Sequence, residues 1–402
     1  MKIPDKIEEN RIEYNTQIYT IAVMAMLLRL LFTYSAIIYP VIPNIVLNGF
    51  YAVFVLLLIY KIVFMQQYSR NHLVFIAVFM LSVIISFSYT KFATLVFTAL
   101  FIVAMQNVDL KKVISCTYKF KAVFLLFHTI CYFVIYITDP SRIEFDYRLG
   151  DTSGMARHNF MLGHANIAAM LVAWTILEYI FVNYDRITKK NILFLWLINL
   201  FFKMYTDSNS SIILVTLVSV LVVISKDYKE ATQRFIDLMS KYLFLFFCIF
   251  SALACMMYTS LSGALLELWN VINEFFSGRL LYGACAYDLS GISIVGKKLS
   301  YYFEKIYWRG YWLDGMVFDN VYVLFFVLYG CATLAVFVYM IIKANKYMTI
   351  EEKIVIIAFS AYSMMETYVL NSAFCFAIVI LGKAIFGHTG EINTNEERKS
   401  VI

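Results

Sequence analysis

Apolar runs of about twenty residues recur along this chain, and that recurrence limits the fold more than any other feature. A hydrocarbon core about 30 Å thick takes roughly twenty residues of helix to cross. Backbone in lipid must satisfy its own N–H and C=O groups, so helices and closed barrels are the spanning forms. Twelve runs are legible, at 17–39, 44–65, 72–89, 91–107, 120–138, 162–183, 191–206, 210–225, 241–260, 319–342, 353–370 and 371–387. They are continuous rather than ten-residue segments of alternating polarity, which selects helices over a barrel. Four prolines and fifteen glycines in the whole chain fit long helices. Composition agrees: 62% of residues are apolar and 15% charged, against about half and about a quarter in soluble domains. The expected fold is all-α, a polytopic integral membrane protein with about twelve transmembrane helices and one long extracytoplasmic loop. Residues 1–387 form a single transmembrane domain in this reading, and 388–402 a disordered cytoplasmic tail.

Lysine and arginine in the loops set orientation. With the N-terminus cytoplasmic, 21 of the 33 cations fall inside, among them Arg70, Lys111, Lys121, Lys190 and Lys343. Nine fall outside, eight of them in two longer loops, 139–161 and 261–318. Both termini are then cytoplasmic. The net charge of +6 reads as a cytoplasmic rim rather than a nucleic-acid footprint. The second outer loop is rich in tyrosine and tryptophan, and Leu261 to Phe276 has the pattern of an amphipathic helix lying in the interface. Charges inside spans are costly. Arg29, near the middle of the first, and Glu366, within the eleventh, are expected to neutralise each other or hydrogen-bond inside the bundle. Lys61, Glu178 and Lys203 sit nearer span ends and are expected to snorkel. Seven scattered cysteines, with Cys285 alone in an outer loop, give neither a disulfide framework nor a CxxC pair.

The most informative stretch runs from Arg157 to Ser211. Two apolar spans return its polar ends, Arg157-His158-Asn159 with Gly163-His164-Ala165-Asn166 and Thr206-Asp207-Ser208-Asn209, to one membrane face. The chain lacks a GxSxG elbow, an HExxH helix motif and a Walker lysine loop. Asp314 and Asp319 offer too few oxygens for Ca²⁺ or Mg²⁺, so neither metal nor cofactor is expected. The outer face offers arginines instead, whose planar fork suits phosphate oxygens. His164 opens a span; burial there would keep it neutral and able to accept a proton. Capping of a helix start is the alternative reading of the same histidine.

Arg157, Gly163-His164-Ala165-Asn166 and Thr206-Asp207-Ser208 together resemble the Wzy-type polysaccharide polymerases of Gram-positive capsule and exopolysaccharide systems, relatives of the O-antigen ligases. The resemblance continues through Asn273, Ser277-Gly278-Arg279-Leu280, the run Gly291 to Lys298, Phe318-Asp319-Asn320-Val321-Tyr322 and Tyr329-Gly330, covering roughly 145–345. Ala165 stands where that family usually has proline, and Asn209 where it usually has arginine. The resemblance implies a bacterial plasma-membrane enzyme that transfers a growing glycan from undecaprenyl diphosphate to a new lipid-linked repeat unit on the outer leaflet. It implies Arg157 and Arg279 on the diphosphate and His164 as base or hydroxyl orienter. Asp207 or Asp319 would orient His164 or bind sugar hydroxyls. Asn166 and Asn320 would contact sugar, with Arg148, Ser208, Tyr322 and Lys297 as further substrate contacts. A flippase and a chain-length regulator are the implied protein partners, beside membrane lipid, and nucleic acid is not a partner. Three other readings stay open: a ligase moving the polymer to another acceptor, a flippase or exporter of the lipid-linked unit, and a scaffold for an assembly complex.

Overall fold

A computed structural model describes residues 5–147, 156–313 and 315–387. In chain order the helices are α1 (Asp5–Tyr34), α2 (Asn44–Tyr60, continued by a wider turn to Met65), α3 (Arg70–Thr90), α4 (Thr94–Val103) and α5 (Leu110–Thr138). Next come α6 (Ala165–Val182), α7 (Lys189–Thr206), α8 (Asn209–Asp227), α9 (Lys229–Met257), α10 (Gly263–Phe275) and α11 (Arg279–Ser290). A hairpin of β1 (Ile306–Trp308) and β2 (Tyr311–Leu313) precedes α12 (Val321–Val323), α13 (Cys331–Ala344), α14 (Ile350–Tyr362) and α15 (Lys383–Phe386). Among the described residues, seven helices are long and apolar enough to cross a membrane, including Leu110–Thr138, Ala165–Val182 and Glu230–Ser260. The protein is a mainly helical membrane protein. The hairpin departs from the all-helical expectation: Arg309 and Gly310 both adopt positive φ (47° and 88°), the two-residue turn that matches strand twist.

The core is organised around α6, which is apolar on every side and buried along nearly its whole length. It packs on α5, α7 and α8, and Trp174 meets Tyr362 and Phe376 from the C-terminal third. The first residues of α6 therefore project from a helix that is enclosed by protein along nearly its whole length.

Several expected spans fold otherwise. The run 91–107 yields the ten-residue α4, too short to cross a bilayer as one helix. The run 319–342 breaks at Gly330, whose φ of +99° only glycine adopts without strain. The break is filled by the segment after α11: Ser293 and Lys297 donate their N–H to the carbonyls of Phe326 and Leu328, while Cys331 and Ala332 donate to Ser293 and Ile294. After α14 the chain turns through short 3₁₀ segments, Thr367–Leu370 and Phe376–Gly382, almost wholly enclosed by protein. Irregular backbone at such depth is tolerated where protein surrounds it. The expected tail beyond His388 lies outside the described residues.

A Cβ on Gly330 would sit 2.5 Å from the Gly296 nitrogen and 2.6 Å from the Val295 carbonyl carbon. Gly330→Ala should therefore lose more than the roughly 1–2 kcal/mol of a left-handed alanine alone. Gly49→Ala, with open space around it in α2, should be neutral or mildly stabilising. Thermal unfolding of the purified variants checks this, and equal midpoints would count against the packed break.

Charges inside the bundle differ from the sequence reading. Lys61 does not snorkel: it is fully buried and donates to Asn15 Oδ1 at 2.6 Å and the Gln106 carbonyl at 2.7 Å. Glu178 does not snorkel either. Its Oε1 takes Lys121 Nζ at 2.6 Å, so Lys121 belongs to the interior of α5 rather than to a cytoplasmic loop. Lys121 also donates to the Phe374 carbonyl. Arg29 and Glu366 do not meet. Arg29 lies in the last two turns of α1, with its guanidinium 3.6 Å over the Tyr51 ring, a cation–π contact. Glu366 pairs with Arg279. Cys285 is buried in α11.

Candidate functional site at the mouth of the bundle

Six element ends converge on one face. Gly163, in the turn before α6, lies against Tyr34, where α1 ends. His164 begins α6, Thr206 ends α7, Arg279 begins α11, Asp319 precedes α12 and Glu366 follows α14.

The turn ahead of α6 is strained. Phe160 and Met161 hold positive φ (51° and 59°), as does Gly163 (76°). Non-glycine residues there cost of order 1–3 kcal/mol each, and such strain clusters at functional sites. It is held by burial of Phe160 among Tyr132, Phe133 and Phe202. Asn159 Oδ1 also accepts the Met161 N–H at 2.9 Å. Asp146 pairs its backbone with Arg157 and turns its carboxylate onto the Ala165 N–H at 2.5 Å. That N–H exists because alanine, not proline, stands at 165. Proline at that position would have no N–H to make this tie.

Arg157 is buried and fixed from two sides. Its Nε donates to the Thr206 carbonyl at 2.9 Å, and a terminal nitrogen donates to Asn166 Oδ1 at 2.5 Å. Asn166 is therefore a positioning group for the guanidinium. His164 caps α6, its Nδ1 accepting the Asn166 N–H at 3.2 Å. The ring is exposed, not buried as expected for a group opening a span. A nitrogen that accepts carries no hydrogen, so the neutral ring holds its proton on Nε2 and faces outward as a donor.

Arg279 is the junction of the site. Gly278 and Ser277, both with positive φ, turn the chain between α10 and α11, and Asn273 Oδ1 accepts the Leu281 N–H. The turn sets Arg279 on the first residue of α11, where a cation opposes the helix dipole; helix stability does not explain it there. Its terminal nitrogen reaches Glu366 Oε1 at 3.1 Å and Asp319 Oδ2 at 3.5 Å. Its Nε is buried without a hydrogen-bond partner among the described residues. The charges of Asp319, Arg279 and Arg157 all act on Glu366, and Arg279 and His164 both lie within electrostatic reach of Asp319. Asp319, in the loop ahead of α12, is 37% exposed at the mouth. Desolvation on its bundle side pushes its protonation upward, opposed by Arg279.

Arg157, His164, Asn166, Arg279 and Asp319 are thus brought together, and Glu366 joins them. Others go elsewhere. Asp207 ends α7 in a left-handed conformation with its carboxylate 3.8 Å from Lys203. The Ser208 hydroxyl stays within the α7–α8 hairpin on Ser210. Asn320 is buried, capping α12 through the Tyr322 and Val323 N–H groups and donating to Ser251, which leaves it no sugar to contact. Tyr322 is fully buried and donates to the Ser360 carbonyl. Lys297 closes the end of α11 on the Ser290 carbonyl. Arg148 and Asp314 lie outside the described residues. The expected interface helix forms as α10, with Leu265, Leu268, Val271 and Phe275 exposed and Trp269 buried on its other side.

The fold and the site define a helical membrane protein with a compact two-arginine, two-carboxylate cluster beside a histidine. No family model, curated protein or solved structure matches the chain.

Proposed function

We propose that this chain is a metal-independent membrane glycosyltransferase that polymerises oligosaccharide repeat units carried on undecaprenyl diphosphate, on the outer leaflet of a bacterial plasma membrane. The observation that carries the reading is the meeting of Arg157, Arg279, His164, Asp319 and Glu366 where apolar helices end. In this reading both termini are cytoplasmic, loops 139–161 and 261–318 cover the active face, and a flippase and a chain-length regulator work beside it.

The acceptor hydroxyl attacks the anomeric carbon of the growing glycan and gives its proton to the Asp319 carboxylate. The new O–C bond forms as the C–O bond to phosphate breaks, and the diphosphate leaves with the bonding pair. Arg157 and Arg279 stabilise the charge that develops on it. Glu366 and Asp319 hold Arg279 until a diphosphate takes their place as a bidentate acceptor. His164 serves as an Nε2–H donor to the acceptor sugar or the diphosphate rather than as the base. A carboxyl whose protonation is shifted upward is better matched to that task.

Reconstituted with one purified lipid-linked repeat unit, the protein should yield a ladder of products. No ladder would sink the proposal, and transfer only to an added foreign acceptor would mark a ligase. The rate should fall on the acid side at a pH above the ordinary value for an aspartate, because Asp319 must be ionised to take the proton. Asp319→Asn should remove that limb along with about 10²–10⁴ of rate. An unchanged acid limb in Asp319→Asn would assign the base elsewhere.

A further inference from the structure

The surface between α3 and α13 holds a groove of about 480 Å³. Contacts run in opposite order along the two helices, Phe75 on Tyr339, Phe79 on Phe337 and Ser82 on Thr333, so they pack antiparallel. That brings Arg70, the first residue of α3, and Lys343, in the last turn of α13, to one end of the groove. Lys343 Nζ rests 4.4 Å from the centroid of the Phe75 ring, which keeps the ammonium at the mouth. Neither cation has a carboxylate partner among the described residues.

Beyond the cations the groove is apolar, walled by Val74 and Val78 on one side and Ala335 and Val336 on the other. Eight residues separate Arg70 from Val78, about 12 Å of helix. One leaflet is about 15 Å of hydrocarbon, so the slot has the depth of a single acyl chain. A tail alone would need no cations, and a free phosphate would need no slot. We propose that this groove binds an anionic phospholipid, with its phosphate between Arg70 and Lys343 beside Asn71, and one acyl chain along the valine–alanine slot. The site is separate from the arginine–carboxylate cluster and independent of the proposed reaction.

Delipidated protein in detergent micelles, titrated with phosphatidylglycerol or phosphatidylcholine of the same chains and followed by native mass spectrometry, tests this. Phosphatidylglycerol should bind in preference. Arg70→Gln and Lys343→Gln should each weaken it about fivefold, the worth of one cation near an anionic headgroup. Lys119→Gln with Lys190→Gln, exposed cations away from the groove, should leave it unchanged. Ala335→Trp should fill the slot and weaken the lipid while leaving any binding of inorganic phosphate alone. Equal affinity for the two lipids, or indifference to both charge substitutions, would overturn the proposal. So would stronger lipid binding on removal of residues 388–402, whose Glu391, Glu396 and Glu397 make the chain's own terminus the rival occupant.

Discussion

Arg279→Gln should reduce polymer formation by at least about 10²-fold, the effect of removing one preorganised charge stabiliser from a developing anion. It should also destabilise the protein, because Glu366 loses its 3.1 Å partner in a buried setting and is left facing Asp319. The two effects separate in one further variant. Arg279→Gln combined with Glu366→Gln removes the uncompensated charge, so thermal stability should return while the ladder stays absent. If activity returned with stability, Arg279 would be a structural residue and the diphosphate role would fall to Arg157 alone. A stable, fully active Arg279→Gln protein would end the proposed mechanism.

Lys121→Met should cost about 3–5 kcal/mol, the usual result of removing one partner from a buried ion pair. Both side chains are enclosed, at 0% and 1% exposure, and Glu178 would keep only Thr117 as a contact. Replacing the pair together, Lys121→Met with Glu178→Leu, should recover most of that loss, since a well-packed apolar pair avoids the desolvation cost of both ions. Unfolding of the purified single and double variants in the same detergent provides the comparison. A double variant as unstable as the single one would mean that the charges hold the α5–α6 packing in a way apolar contact cannot replace.

The helical membrane class was legible because lipid leaves the backbone few alternatives, and continuous apolar runs announce it whatever their order. The amphipathic helix α10 was legible for a similar local reason, since the 3.6-residue period of Leu265, Leu268, Val271 and Phe275 needs no partner to be seen. From residue chemistry alone, the polar ends of the Arg157–Ser211 stretch were legible as a candidate face, whereas Arg279 and Asp319 were assigned roles only through the motif resemblance. Glu366 drew notice as a charge within a run. Its partner was misassigned because the only other charge near mid-span in sequence was Arg29, whereas Arg279, 87 residues away, is brought to it by the turn at Ser277-Gly278.

That the chain forms apolar helices, and which polar residues stand at their ends, can be read from the order of its residues. Which of those residues meet is set by how the helices pack. Packing set Asn320 and Tyr322 into the core, gave His164 a cap to hold, and broke the apolar run at Gly330 against Gly296. The reason is physical: hydropathy is a local property that lipid reads residue by residue. Ion pairs, caps and close backbone approach belong to atoms far apart in the chain, and they exist only once the helices have packed.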